Sequence, residues 1–210
     1  MSPSRAPVEI DTPHGPARVT LHRAQGRARA LLLLGHGAGG GVGAPDLVVA
    51  TGAATARGVH VGLVEQPYRV AGRRAPAPAK QLDAAWLAVV AAARAGELGV
   101  DRRGRLPLLT GGRSSGARVA CRTAAEAGAS GVLCLAFPVH PPGRPDKDRL
   151  PELDGVEAPV LVVQGRRDPF GCPEPAASRD VVVLDGDHSL KADPDGVRTA
   201  VTTWFAHLLG

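Results

Sequence analysis

The stretch LPLLTGGRSSGARVA, residues 106–120, decides how this chain is read. An apolar run at 106–109 ends in Gly111-Gly112-Arg113-Ser114-Ser115-Gly116 and passes into an alanine-rich segment suited to a helix. Gly112-x-Ser114-x-Gly116 therefore lies between an expected strand and an expected helix. In that setting G-x-S-x-G is a sharp turn that presents a nucleophilic serine. The serine backbone is strained, and a Cβ at either flanking glycine would strike a neighbouring strand or helix. Alone, the string is also an ordinary glycine-rich turn, so its surroundings must decide.

Outward from the turn, short Val/Leu-rich runs alternate with alanine-rich segments. Strands are expected at 8–10, 18–22, 30–34, 59–64, 106–109, 131–136, 160–164 and 181–184. Several are continuously apolar (LLLL, VLCLA, VLVVQ), the pattern of strands covered on both faces in a parallel sheet. The first two alternate and lie close together, which fits an antiparallel hairpin at a sheet edge. Helices are expected at 46–57, 81–95, 115–127 and 195–209. Leu82, Ala85, Trp86, Val89, Val90 and Ala93 recur at helical spacing, so one face of the second helix packs on a sheet. Trp86 and Trp204 read as packing residues. Strand-helix alternation argues for an α/β architecture in one domain, residues 1–210. The proline-rich stretches 71–79 and 138–151 read as loops rather than boundaries.

Composition narrows the function classes. The chain has 210 residues, 44% of them hydrophobic and 21% charged, as in ordinary globular domains. Its formal charge of +5 and pI near 9.7 invite a nucleic-acid reading. The arginines, however, stand singly or in pairs (Arg73-Arg74, Arg102-Arg103, Arg166-Arg167) with no basic helix face or interleaved aromatics. Nucleic acid is not an expected partner. Cys121, Cys134 and Cys172 lack C-x-x-C spacing and read as buried free thiols of a reducing compartment, with no metal site. The N-terminus has no apolar h-region and no run approaches a membrane span. A cytoplasmic protein, monomer or homodimer, without a membrane partner is expected.

Three further segments bear on chemistry. LLLLGHGAGGG, residues 31–41, runs a buried strand into H-G-x-G-G. It resembles the loop after strand three in α/β-hydrolases, where backbone N–H groups face the oxyanion formed at an ester carbonyl. The N–H of Ala38 or Gly39, with that of Ser115, is expected to form the oxyanion hole, and His36 to hydrogen-bond within the loop. At 159–170 a buried strand ends shortly before Asp168, at the carboxyl end where α/β sheets gather active sites. Asp168-Pro169 would equally start a turn. At 181–190 the final strand ends before His188, which lies beyond both Ser114 and Asp168. The order Ser114, Asp168, His188 is that of a Ser-Asp-His triad. Asp187 and Asp185 are rival acids by proximity, although a residue adjacent to the histidine seldom reaches its Nδ1.

The segments 31–41, GGRSSGARVA (111–120), FPVHPPGRPDK (137–147), VQGRRDPFG (163–171) and DGDHSL (185–190) together resemble α/β-hydrolases. More narrowly, the chain is similar to small dienelactone-hydrolase-like proteins related to testis-expressed and NSL-complex-subunit-like α/β-hydrolase domains. The proline-rich segment at 137–147 is the most specific match. One departure is Arg113-Ser114-Ser115-Gly116, where a lysine and a bulkier residue around the serine are expected, which leaves the pocket floor open. The resemblance implies an α/β-hydrolase fold: a mostly parallel, twisted sheet of about eight strands flanked by helices. Residues 137–155 are too short and proline-rich for a helical lid, so little or none is expected. It also implies a serine hydrolase of a small ester, without cofactor, with Ser114 as nucleophile, His188 as base and Asp168 as its orienting acid. His140 and Arg113 are possible pocket-lining residues.

Two rival readings stand beside this one. Gly35-x-Gly37-x-x-Gly40 after a strand, with Glu65 ending the next, also fits a dinucleotide fingerprint. Against it, a hairpin precedes the run and residues 41–45 delay the helix. The other reading is a non-catalytic α/β-hydrolase scaffold working through protein partners.

Overall fold

The computed structural model describes residues 6–101 and 104–210. The Arg102-Arg103 pair and the first five residues of the N-terminus lie outside the described residues. Among the described residues, eight strands form one sheet: β1 (Val8–Ile10), β2 (Ala17–His22), β3 (Ala30–Gly35), β4 (Val59–Glu65), β5 (Leu108–Arg113), β6 (Val132–Leu135), β7 (Val160–Gly165) and β8 (Arg179–Leu184). Their order is β1-β2-β4-β3-β5-β6-β7-β8. β1 with β2 and β2 with β4 are antiparallel, and every other pairing is parallel. The N-terminal hairpin thus sits at the edge, as its alternation predicts.

Helices α1 (Pro45–Ala56), α2 (Pro67–Val70), α3 (Ala79–Arg94), α4 (Ser115–Ala127), α5 (Leu150–Asp154) and α6 (Pro194–Leu209) flank the sheet. In β3, Ala30, Leu32 and Leu34 face the cluster built with α1 and α6, including Trp204 and Phe205. The alternating Leu31 and Leu33 face α3, with Trp86, Val89 and Val90. Both faces are therefore covered, which is why LLLL carries no polar alternation. A third cluster joins α4 and α5 to β6 and β7. Among the described residues no helix is long and apolar enough to cross a membrane.

Three expectations need correction. The fifth strand spans Leu108–Arg113 rather than 106–109, so the glycines belong to the strand. Gly111 lies directly beside β6, where a Cβ would strike the Leu133 carbonyl. Glycine carries no strand signal but permits this close approach. The proline-rich stretches do not remain loops throughout, because residues 150–154 form α5. A proline in its first turn suits a helix start, since the missing N–H has no intrahelical partner there. The third correction concerns the thiols. Cys121 and Cys134 are buried, with sulfurs 3.5 Å apart between α4 and β6, whereas Cys172 is exposed in the loop after β7.

Candidate active site

The site is assembled at the carboxyl ends of β3, β5, β7 and β8. Ser114 follows β5 with φ 53° and ψ −110°, a left-handed backbone that a non-glycine residue adopts only when its surroundings enforce it. The enforcement is visible on both flanks. A Cβ on Gly112 would come within 2.6 Å of the Gly35 carbonyl oxygen, and one on Gly116 within 2.9 Å of the His36 carbonyl oxygen. The end of β3 therefore presses against both sides of the turn. Ser114 N–H donates to the Leu135 carbonyl at 2.9 Å, tying the turn to β6.

The sequence-predicted Ser114, His188 and Asp168 meet, although 74 and 20 residues separate His188 from the other two. His188 Nε2 lies 2.9 Å from Ser114 Oγ, and Nδ1 lies 2.8 Å from Asp168 Oδ2. A carboxylate can only accept, so Nδ1 carries the proton and Nε2 is left to accept from the serine hydroxyl. The Asp168 side chain is fully buried and that of His188 is 17% exposed. Burial makes a carboxylate costly unless its lone pairs are satisfied. Here Oδ1 accepts from Phe170 N–H and Oδ2 from the Gln164 side-chain amide, each at 2.8 Å. The rival acids turn elsewhere. Asp187 accepts from the N–H and hydroxyl of Ser189, and Asp185 pairs with Arg166 at the surface.

The glycine loop after β3 is held beside Ser114. A Cβ on Gly37 would sit 3.6 Å from Ser114 Cβ. Tyr68 of α2 donates its hydroxyl to the Ala38 carbonyl at 2.8 Å, fixing the peptide that precedes Gly39. Ser115 is the first residue of α4, so its N–H has no intrahelical acceptor and lies at the positive end of the helix dipole. His36 is 3% exposed. Its Nε2 accepts from Gln66 N–H and its Nδ1 donates to the Gly37 carbonyl. A ring nitrogen that accepts must be unprotonated, so this bridging role needs the neutral imidazole, and burial lowers the His36 pKa in the same direction. Gly35 serves the packing of the serine turn: a Cβ there would meet Gly116 Cα at 3.3 Å. This use accounts for a glycine that the dinucleotide fingerprint would otherwise claim.

Arg113 and His140 have definite partners. Arg113 Nε pairs with Asp46 Oδ2 at 3.0 Å, and Nη2 donates to the His188 carbonyl at 3.0 Å. His140 Nδ1 donates to the Pro141 carbonyl, while its ring lies against Gly171, just beyond Asp168. Sequence reasoning missed Gln164, Phe170, Tyr68 and Asp46. Gln164 had a legible signal, being a polar side chain at the end of an apolar strand. The Phe170 ring lies against His188 with centroids 4.2 Å apart and the planes tilted by 32°, a contact that no local pattern announces.

A family model described as an alpha/beta hydrolase domain matches residues 28–204. No curated protein matches the sequence. The fold is similar to XC6422 from Xanthomonas campestris, an α/β serine hydrolase described as lacking a lid. That similarity has a TM-score of 0.76 at 21% identity, covering 100% of this chain and 97% of the other. It is also similar to a dienelactone hydrolase from Anabaena variabilis, with a TM-score of 0.74, 19% identity and complete coverage of both chains. Est1E from Butyrivibrio proteoclasticus aligns with a TM-score of 0.75 at 14% identity, over 97% of this chain and 99% of its own.

Proposed function

Because the chain belongs to the alpha/beta hydrolase domain family, we propose that it is a serine hydrolase that cleaves a carboxylic ester of a small substrate through an acyl-enzyme. The observation that carries this reading is the unbroken hydrogen-bond chain Asp168–His188–Ser114 at the end of a strained turn.

The chemistry follows from those contacts. A serine hydroxyl is a weak nucleophile at neutral pH and needs a base in contact with it. His188 Nε2 takes the Ser114 proton as Oγ forms a bond to the ester carbonyl carbon. The carbonyl π electrons move to oxygen, where N–H groups of Ala38 or Gly39 and of Ser115 stabilise the negative charge. Collapse of this intermediate breaks the bond to the leaving alkoxide, which receives the proton from His188. Water then attacks the acyl-enzyme by the same route and releases the acid. Asp168 holds the imidazole tautomer and stabilises the imidazolium without itself taking the proton.

A fluorophosphonate probe and p-nitrophenyl esters test the proposal. Wild-type protein is expected to be labelled, with Ser114→Ala abolishing labelling and lowering kcat/KM by on the order of 10⁴-fold or more. Ser115→Ala is expected to keep its labelling. Wild-type protein that neither labels nor hydrolyses would favour the scaffold reading.

A further inference from the structure

Arg113 precedes the nucleophile at the end of β5, and its guanidinium contacts three separate segments. Nε pairs with Asp46 Oδ2 in the first turn of α1 at 3.0 Å, in ion-pair rather than hydrogen-bonding geometry. Nη2 donates to the His188 carbonyl at 3.0 Å. Nη1 lies against Gly37 in the glycine loop, 2.8 Å from where a Cβ would sit. The Asp46 side chain has no exposure and that of Arg113 is 19% exposed. An ion pair so far removed from water contributes little net stability and is costly to break, so its presence asks for another reason.

The loop that carries His188 supplies one. It runs from β8 to α6 through exposed Asp185 and Asp187, and its turn is closed by Leu190 N–H to the Asp187 carbonyl. Arg167 N–H holds its beginning through the Gly186 carbonyl. Those bonds tie the loop to itself and to the loop after β7. The bond from Arg113 instead joins the backbone of the base to the strand that carries the nucleophile. We propose that Arg113 is a positioning residue for the proposed hydrolysis: neutralised by Asp46, it fixes the His188 backbone relative to Ser114 and the glycine loop. The role needs a planar fork, because one group must meet a carboxylate and a carbonyl in different directions. A lysine ammonium is a single point charge on a flexible stem. This answers the departure at Arg113 in the sequence pattern, and it rests on the functional reading above.

The test uses the intact protein with Arg113→Lys and the double variant Arg113→Met/Asp46→Asn, which leaves no unpaired buried charge should the single variant fold poorly. Two readouts are followed in variants that retain cooperative unfolding. One is the downfield proton resonance of the His188 Nδ1–H···Asp168 bond, and the other is p-nitrophenyl acetate turnover. The expected result is a broadened or lost resonance, with kcat reduced about 10- to 100-fold and KM changed little, as misplacement of a catalytic group predicts. Variants that keep both the resonance and kcat within about twofold of wild type overturn the role. If wild-type Ser114 proves unreactive, the hydrolase reading fails separately. The resonance still decides whether Arg113 positions His188: its loss supports the role and its persistence overturns it.

Discussion

At the scale of single residues, the serine turn depends on backbone groups approaching closer than any side chain allows. Gly116 lies against the Gly35 and His36 carbonyls, whereas Gly39 in the same region has open space around its Cβ position. Gly116→Ala is therefore expected to lower stability by about 1–3 kcal/mol, since the obstruction is backbone and cannot swing away. Gly39→Ala should stay within about 0.5 kcal/mol of wild type. Urea midpoints measure both, and equal stability of the two variants would contradict the close-approach account of the serine turn. These glycines were readable because the motif places them. Gln164 and Phe170 were not given roles, because their partners lie in a carboxylate cage and an imidazole ring that only the folded chain brings near.

Elements show a different balance. The boundaries of α4 coincide with those expected, because Ser114 and Gly128 bracket an uninterrupted helical run. The start of α6 also has a local cause: the Asp193 carboxylate accepts from Gly196 N–H at 2.8 Å as an N-cap. Asp193→Ala should cost about 1 kcal/mol in chemical unfolding and leave the proposed ester hydrolysis in place, because the helix packs through Val201, Trp204 and Phe205, away from the serine. A destabilisation near zero would show that packing alone sets where the helix begins. By contrast, α2 and α5 span four and five residues, too few for a periodic signal to emerge. Yet α2 supplies Tyr68 to the glycine loop, so a feature invisible in the pattern reaches the site.

For the whole molecule, burial of histidines ties stability to pH. His36 and His60 each use a ring nitrogen to accept a backbone N–H, from Gln66 and Ala24. Burial lowers the pKa of both, and of His22. The unfolded chain therefore binds more protons below about pH 6.5 than the native state does. Their contribution is fully present above that pH and is lost as pH falls through the lowered native values. Unfolding free energy from urea titrations is expected to decrease between pH 7.5 and 5.5. A flat or rising profile would show that these rings are not held neutral.

The alternation of elements, the sheet buried on both faces, the edge hairpin and the candidate trio Ser114, Asp168 and His188 are legible in the amino-acid order alone. Those features follow from periodicity, from glycine placed where a turn demands it, and from loops that end successive strands. Only the folded chain shows that β2 lies beside β4 and that β5 continues through its glycines. It also shows that Arg113 links α1 to the His188 backbone, and that Asp168 rather than Asp187 meets His188. Each of these is a relation between segments distant in the chain. Local propensity cannot encode such relations, because packing and hydrogen-bond satisfaction are settled only when the segments share one interior.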